Sequence, residues 1–367
     1  MILLIRHCSA EGQESEAKLT EKGLKQAHQL SISLPEFFKP TRIISSPFTR
    51  AVESVKPLAD AFNLEIECDE LLRERFLCEN ENNFSTVMAH LKKSFEDFDY
   101  KAVAAGESNR DCQKRALKFL KKLRNSYNPE QAVIIVSHGN LIASLLNLCC
   151  SGSGNQQFFG YDEMMALTNP DVFMLKLSED DSVLASYQRI WNPSIGLDVK
   201  TRISARAIIL DPSHSKVLLF RLHDKSVVFN GRHKTQPLWI TPGGGVEDGE
   251  ELLISLEREL NEELGLKPED YVVKGHLWRS ENKRMVFKMR PCRVIDNYFL
   301  IHLLDSGTKF DFSNWTEEEK TVLTKLKWWN RDEILRTDEK IVPSQLKNLF
   351  DYRLFEPVEL EIITEDD

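Results

Sequence analysis

The stretch from Pro242 to Leu266 constrains this chain more than any other, because it asks for a helix whose charges need a partner. A glycine run, Pro242-Gly243-Gly244-Gly245, leads into Val246-Glu247-Asp248-Gly249-Glu250, and seven residues later comes Arg258-Glu259-Leu260-Asn261-Glu262-Glu263-Leu264-Gly265-Leu266. Leu253, Leu256, Leu260 and Leu264 share one face of a helix, and Gly265 supplies its C-terminal stop. Glu259, Glu262 and Glu263 crowd an adjacent face. Like charges at i, i+4 destabilise a helix by about 0.2–0.5 kcal/mol per pair, so an uncompensated acidic row is a poor structural choice that a bound cation would reverse. Hard divalent ions such as Mg²⁺ or Mn²⁺ take carboxylate and carbonyl oxygens and coordinate phosphate, which suits cleavage of a pyrophosphate bond. An acidic amphipathic helix without function is the bland alternative; the glycine loop at this spacing argues against it.

The first half obeys a different rule. Ile2–Ile5, Arg42–Ile44 and Ala132–Val136 are short, nearly continuous apolar runs, as strands buried on both faces of a parallel sheet require, and Ala116, Leu117, Phe119, Leu120 and Leu123 read as a helix face between them. Open parallel sheets bind ligands beyond the carboxyl ends of their strands. There the chain places Arg6-His7, Ser45-Ser46-Pro47 running on to Arg50, and Ser137-His138-Gly139. Two imidazoles and two guanidiniums converging at such a crevice can attack a phosphoryl group and hold its charge, with an acid to protonate the leaving oxygen.

Length places these two patterns in separate domains, since 367 residues exceed what one hydrophobic core usually organises. Trp191-Asn192-Pro193-Ser194-Ile195-Gly196 carries the Pro, Gly and small polar residues of a boundary, giving domains over 1–191 and 200–357 and an acidic C-terminal tail over 358–367 that frays beyond Ile363. The second domain opens with a hairpin: strand Ile203–Leu210, turn 211–215, strand Lys216–Phe220. Met1–Ile5 is broken at once by Arg6-His7, too short for a secretory signal, so a cytoplasmic protein is expected. The seven cysteines form no CxxC pair, which disfavours a zinc cage and a disulfide framework. A net charge of -9 repels polyanions, so small phosphorylated molecules, nucleotides first among them, are the expected partners, rather than nucleic acid or a membrane.

Arg6-His7, Leu19-Thr20-Glu21-Lys22-Gly23, Ser46-Pro47-Phe48-Thr49-Arg50-Ala51 and Val136-Ser137-His138-Gly139 resemble the histidine phosphatase (phosphoglycerate-mutase-like) superfamily. The resemblance implies an α/β fold with a mostly parallel sheet flanked by helices and no metal in that half. It implies His7 as nucleophile, Arg6, Arg50 and His138 as phosphoryl ligands, and Glu74 as proton donor. Gln13 and Thr20 lie where the family contacts substrate, and Gly106-Glu107-Ser108 matches a motif before a helix. Cys8 stands where the family more often has Gly, and the stretch from Glu74 to Gly106 lacks the Arg-rich insert of the mutases, which favours a phosphatase.

The segment from Gly244 to Leu266 satisfies every position of the Nudix box, implying an α+β fold with a mixed sheet carrying the box helix. By that resemblance Glu259, Glu262 and Glu263 are metal ligands or activate water, Gly244 offers a carbonyl, and Glu250 and Arg258 support the Mg²⁺ (or Mn²⁺) shell. One more acid from Glu317-Glu318-Glu319 is expected, and Arg206 and Arg221 are candidates to meet phosphate. Trp239, Trp278, Tyr298 and Trp328-Trp329 offer rings to a base, although aromatics at such positions more often pack. The expectation is a bifunctional phosphohydrolase. The alternatives are two independent substrates, a sugar phosphate and a nucleotide, or a first half kept as a regulatory or binding module.

Overall fold

The computed structural model describes all residues except 78–83, 129, 149–159, 179–183, 195, 224–227, 230–231, 234–236, 288, 352–360 and 364–367. It resolves two compact units, one built from Met1–Asp198 with Lys288–Pro291 and the other from Val199–Phe287 with Cys292–Asp367.

In the first unit the strands are β1 (Ile2–Arg6), β2 (Arg42–Ser45), β3 (Ile66–Cys68), β4 (Val133–Ser137), β5 (Val172–Leu177), β6 (Leu184–Asn192) and β7 (Gly196–Leu197). They form one sheet in the order β3-β2-β4-β1-β5-β6-β7. β1 to β4 run parallel, and β5, β6 and β7 add an antiparallel flank. Every residue of β4 is buried, and so are Ile2 to Ile5, as strands covered on both faces must be. The helices are α1 (Glu21–Ser33), α2 (Thr49–Phe62), α3 (Phe84–Glu96), α4 (Asn109–Ser126), α5 (Gly139–Leu146) and α6 (Tyr161–Met165). Ile2, Leu4, Val133, Ile135, Phe173 and Leu175 pack one sheet face against Ala116, Phe119, Leu120 and Leu123 of α4 and Leu141, Ile142 and Leu145 of α5. α2 packs on β2 and β4 and on α1. The segment 191–196 is a turn within this unit, since Trp191 pairs with Leu197 and Asn192 with Gly196, and the division falls between Asp198 and Val199.

The second unit runs β8 (Lys200–Leu210), β9 (Lys216–Leu222), β10 (Val228–Phe229), β11 (Arg232–His233), β12 (Leu238–Ile240), β13 (Gly243–Gly245), α7 (Leu252–Leu264), β14 (Tyr271–Phe287), β15 (Arg290–Leu303), α8 (Glu317–Val322), β16 (Leu323–Asn330), α9 (Arg331–Arg336), β17 (Lys340–Val342) and β18 (Glu361–Ile363). The sheet order is β11-β10-β14-β15-β8-β9-β12-β17, with β13 on β8, β16 on β9 and β18 on β14. It is mixed: β15 lies parallel to β8, and β9 and β13 antiparallel to neighbours. The opening hairpin forms, but β8 and β9 are paired only at Leu210 and Val217. Farther along β8, residues 204–206 pair with the glycines of β13 instead. This splitting of two strands opens the site. α7 stops at Gly265, whose left-handed φ of 68° suits glycine. Its buried stripe is Leu256, Leu260 and Leu264, whereas Leu253 is 48 % exposed, because the stripe continues through Leu252 one turn below Leu256. Glu361–Ile363 of the acidic tail pairs with Trp278–Ser280, and the expected fraying beyond Ile363 lies outside the described residues.

Candidate active sites

In the first unit, Arg6 pairs with Ser137 across β1 and β4, so the residues that follow them, His7 and His138, emerge side by side. Their ring centroids are 5.0 Å apart. Both rings are buried, and Arg50, from the first turn of α2, is wholly so. His7 Nδ1 lies 2.7 Å from the Cys8 carbonyl and therefore donates to it, leaving Nε2 with the lone pair, toward which Arg50 Nε donates at 3.2 Å. Burial above all, then the Arg50 charge, pushes the His7 imidazole down to about 3. His138 is also held well below its ordinary range, first by burial and then by His7 and the arginines Arg50, Arg6 and Arg115. Both rings are thus neutral, as a nucleophile requires. His138 Nε2 meets Ser46 Oγ at 2.7 Å, while its Nδ1 and Arg6 Nε find no hydrogen-bond partner although buried.

Glu74 completes the group less tightly. Its carboxylate accepts from the Arg75 N–H at 2.8 Å and from the Asn140 N–H at 3.4 Å, and its charge acts on Arg6. The loop that carries it is braced by Glu107, which binds Arg73 at 3.1 Å and Arg115 at 2.8 Å, while Arg115 also holds the Arg73 carbonyl at 2.7 Å. Ser108 caps α4 in a capping box with Asp111, so the Gly106-Glu107-Ser108 motif acts through the fold. The two residues predicted to contact substrate also support the fold through bonds of their own. Thr20 Oγ1 accepts from the Gly23 N–H as N-cap of α1, and Gln13 is exposed and presents its carbonyl to Arg50 at 3.0 Å. Cys8 is buried with its thiol pushed up to about 12 by burial, and its N–H donates to Ser54, a packing role. Sequence reasoning missed Asn169, whose side chain donates to the His7 carbonyl at 2.7 Å; an Asn so distant in sequence gave no signal.

In the second unit, a cavity of about 400 Å³ opens between β13, α7, α8 and the sheet. Glu259 and Glu263, one turn apart on α7, both line it, and both are buried. Glu262 lies off that stripe; it is half-exposed and bonded to Arg258 at 3.0 Å, so the expected three-carboxylate row delivers two to the cavity. Gly244 faces Glu259 so closely that a Cβ there would come within 2.4 Å of the carboxylate. Arg258 ties this floor together through Glu250 at 2.9 Å, Glu259 at 2.9 Å and the Gly245 carbonyl at 2.8 Å, and its hydrogen bond draws the Glu250 carboxyl down to about 2. Burial lifts Glu263 to about 8 against the Gly243 N–H, which donates to it at 2.7 Å, and against Arg206; Glu259 and Glu319 push the same way as burial. Glu259 is raised too, first by burial.

Of the three acids at 317–319, Glu319 lines the cavity, Glu317 points to solvent beside Lys320, and the Glu318 side chain lies outside the described residues. Arg206 Nη1 clamps the carbonyls of Gly243 at 2.8 Å and Thr241 at 3.1 Å, and its Nε faces buried Asp296 at 3.5 Å, so it shapes the glycine strand as well as lining the cavity. Arg221 is paired with Glu339 instead. Trp315, which the sequence did not single out, donates to the Glu263 carbonyl at 2.8 Å. Among the described residues no three His, Cys, Asp or Glu side chains are gathered as a ready metal cage. Mg²⁺ needs none: it keeps waters and takes one or two carboxylates, and Glu259, Glu263 and the Gly244 carbonyl fit that demand.

Residues 2–187 match the histidine phosphatase superfamily (branch 1), and residues 200–350 match the NUDIX domain. The chain belongs to the histidine phosphatase superfamily. Its second half is a NUDIX domain, so both halves are hydrolase domains, and NUDIX domains generally use a divalent metal such as Mg²⁺. An RNA pyrophosphohydrolase of Francisella tularensis is 39% identical over 59 residues, 16% of this chain and 38% of that protein. The corresponding protein of Francisella philomiragia is 41% identical over a stretch of the same length. The chain thus spans less than two fifths of the length of these curated relatives. Among solved structures, a mycobacterial glucosyl-3-phosphoglycerate phosphatase matches with 22% identity and a TM-score of 0.43, covering 52% of this chain and 98% of its own. A phosphoserine phosphatase of Entamoeba histolytica matches with 20% identity and a TM-score of 0.39, covering 51% and 95%. Among the described residues no helix of this histidine phosphatase–NUDIX chain is long and apolar enough to cross a membrane.

Proposed function

We propose that the chain is a bifunctional phosphohydrolase whose NUDIX half splits the pyrophosphate bond of a nucleoside di- or triphosphate-like compound and whose phosphatase half removes a phosphoryl group from a product. The observation that carries this reading is the placement of the side chains: His7 and His138 stand 5.0 Å apart beside buried Arg50 in one half, and Glu259, Glu263 and Glu319 line one cavity in the other. In the first half, His7 Nε2 attacks phosphorus while Arg6, Arg50 and His138 hold the equatorial oxygens. Glu74 gives its proton to the departing ester oxygen and then takes one from the water that cleaves the phosphohistidine. In the second half, Glu259, Glu263 and the Gly244 carbonyl would hold Mg²⁺, which supplies charge for the pyrophosphate oxygens. Glu263, which accepts from the Gly243 N–H, and Glu259, kept aimed by Arg258, would be the carboxylates that meet the cation.

The test follows the products formed from a nucleotide panel by the intact chain, His7→Ala and Glu263→Gln, with and without Mg²⁺. His7→Ala should accumulate the NUDIX product, and Glu263→Gln should leave the starting nucleotide intact. A product profile that is unchanged when either half is blocked rules out action in series. Loss of metal-independent aryl phosphatase activity in His7→Ala separates an active first half from a regulatory one.

A further inference from the structure

The turn that follows His7 is held through two peptide planes. The plane between His7 and Cys8 is occupied at both ends: the His7 carbonyl accepts from Asn169 Nδ2 at 2.7 Å, and the Cys8 N–H donates to Ser54 Oγ at 2.7 Å. The plane between Cys8 and Ser9 is occupied likewise. Its Ser9 N–H donates to Gln26 Oε1 at 2.9 Å, and its Cys8 carbonyl accepts from His7 Nδ1 at 2.7 Å. The C=O and N–H of one trans peptide point in opposite directions and turn together. Whatever holds the Ser9 N–H therefore aims the Cys8 carbonyl at the imidazole.

Gln26 is buried on the face of α1 that meets this turn. Gly23, one turn earlier on the same helix, lets the backbone come close, since a Cβ there would fall 2.0 Å from the Ser9 carbonyl. The Thr20 N–H donates to that same carbonyl at 3.0 Å. Two opposite demands fix the Gln26 amide: its oxygen accepts from Ser9, and its Nε2 donates to the Asn169 carbonyl, so a single orientation serves both. Asn169 Nδ2 itself is 3.5 Å from His7 Nδ1, against 2.7 Å for the Cys8 carbonyl. The carbonyl thus decides which ring nitrogen carries the proton.

We propose that Gln26 is a positioning residue for phosphoryl transfer: through the Cys8–Ser9 peptide it aims the carbonyl that anchors His7 Nδ1–H, and so points the Nε2 lone pair at phosphorus. The inference rests on the phosphatase reading above and adds what keeps its nucleophile in the reactive form. Arg50 Nε, 3.2 Å from Nε2, favours the same tautomer in the empty site. Arg50 is also the group that turns to the phosphoryl oxygens, so the Cys8 carbonyl is the hold that lasts through the reaction. Without the Gln26 amide the Ser9 N–H loses its partner, and a peptide that rotates to find another takes the acceptor away from Nδ1. The ring is then free to tilt, or to carry its proton on Nε2, where it has no lone pair to give.

The experiment uses the intact chain without metal and measures kcat and KM toward an aryl phosphate between about pH 5 and pH 7 for wild type, Gln26→Leu and Gln26→Glu. Gln26→Leu should lose about 100-fold in kcat with KM within about threefold, as a misplaced reacting group does. Gln26→Glu carries its own switch. As a carboxylate it accepts from Ser9 but repels the Asn169 carbonyl; once protonated it accepts with one oxygen and donates with the other, as the amide does. Its kcat should therefore climb toward wild type as the solution is made acid, over a range where wild type is level. The charged and titratable groups on the elements packed around this turn, Arg6, His7, Cys8, Arg50, Glu53 and Asp171, are the same in both proteins. In proton NMR the His7 Nδ1–H signal, identified by its loss in His7→Asn, should move upfield and exchange faster in Gln26→Leu. Wild-type kcat in Gln26→Leu, a raised KM in place of a lowered kcat, a level profile in Gln26→Glu, or an unmoved Nδ1–H signal overturns the inference and leaves the phosphatase reading standing. Should Gln26→Leu fail to fold, the two ends of the Gln26→Glu profile decide, because both come from one protein. A wild-type chain with no metal-independent phosphatase activity removes the reading itself, and the NMR comparison then still judges the placement of the ring.

Discussion

The His7 environment makes a quantitative claim about acid. With its imidazole near 3 rather than 6.5, His7 stays about 99 % neutral at pH 5, where a solvated imidazole would be about 3 % neutral. The structural causes are burial first, then the Arg50 guanidinium 3.2 Å from Nε2. Metal-free phosphatase kcat/KM toward an aryl phosphate, corrected for the substrate's own ionisation, should therefore stay level from pH 7 to pH 5, where a solvated nucleophile would lose about 25-fold. The same shift couples to stability. A histidine depressed in the folded state contributes fully above 6.5, and that contribution drains away as pH falls toward 3, because the unfolded chain takes up the proton first. The first two pH units of that window cost about 3 kcal/mol. Denaturant unfolding of wild type and His7→Asn at pH 7.5 and 4.5 should thus show the difference between them moving about 3 kcal/mol in favour of the variant at the lower pH. An acid limb centred near 6.5 in kcat/KM, or a stability difference that does not move, would refute the claim that His7 is buried and neutral.

Three further outcomes test other parts of the two sites. Gly244→Ala places a Cβ within 2.4 Å of the Glu259 carboxylate, so Mg²⁺-dependent pyrophosphate hydrolysis should fall by about 100-fold or more while aryl phosphatase activity stays at the wild-type level. Thr20→Val should cost about 1 kcal/mol of stability, as loss of an N-cap does, with KM for aryl phosphate unchanged; a KM shift beyond about threefold would return Thr20 to the substrate site. Arg206→Met removes one of the two guanidiniums that act on buried Asp296, with Arg202 the other, and should destabilise the chain by about 2 kcal/mol in urea unfolding, and adding Asp296→Asn should recover part of the loss.

The strand-end chemistry was legible in the sequence because β-strands translate position directly into place. Polar residues that follow buried apolar runs must emerge at one edge of the sheet, and Arg6-His7 and Ser137-His138 do so in register. The helix of the second half was legible in period but not in phase. Leu253 and Glu262 satisfied the spacing, yet the structure turns both outward, since small changes in helix start rotate a stripe by about 100° per residue. Hydroxyls were the least legible. Thr20 and Thr241 are chemically alike, but one is used as a helix cap and the other is left buried without a hydrogen-bond partner, and only tertiary placement decides between them. Asn169 and Trp315 illustrate a further limit: each reaches its site from a loop distant in sequence, where no periodicity marks it, whereas Glu319 stood in an acid run whose member facing the cavity was the part left open.

Burial links the two halves through opposite signs. In the phosphatase unit it surrounds neutral imidazoles with Arg6 and Arg50, so the field is positive and favours a phosphoryl dianion. In the NUDIX unit it packs Glu259 and Glu263 together near Glu319, with Arg206 and Arg258 as partial compensation, so the field at the carboxylates favours a cation. Each arrangement is costly when held alone and is relieved by the charge it lacks, which is why neither is a sensible packing solution.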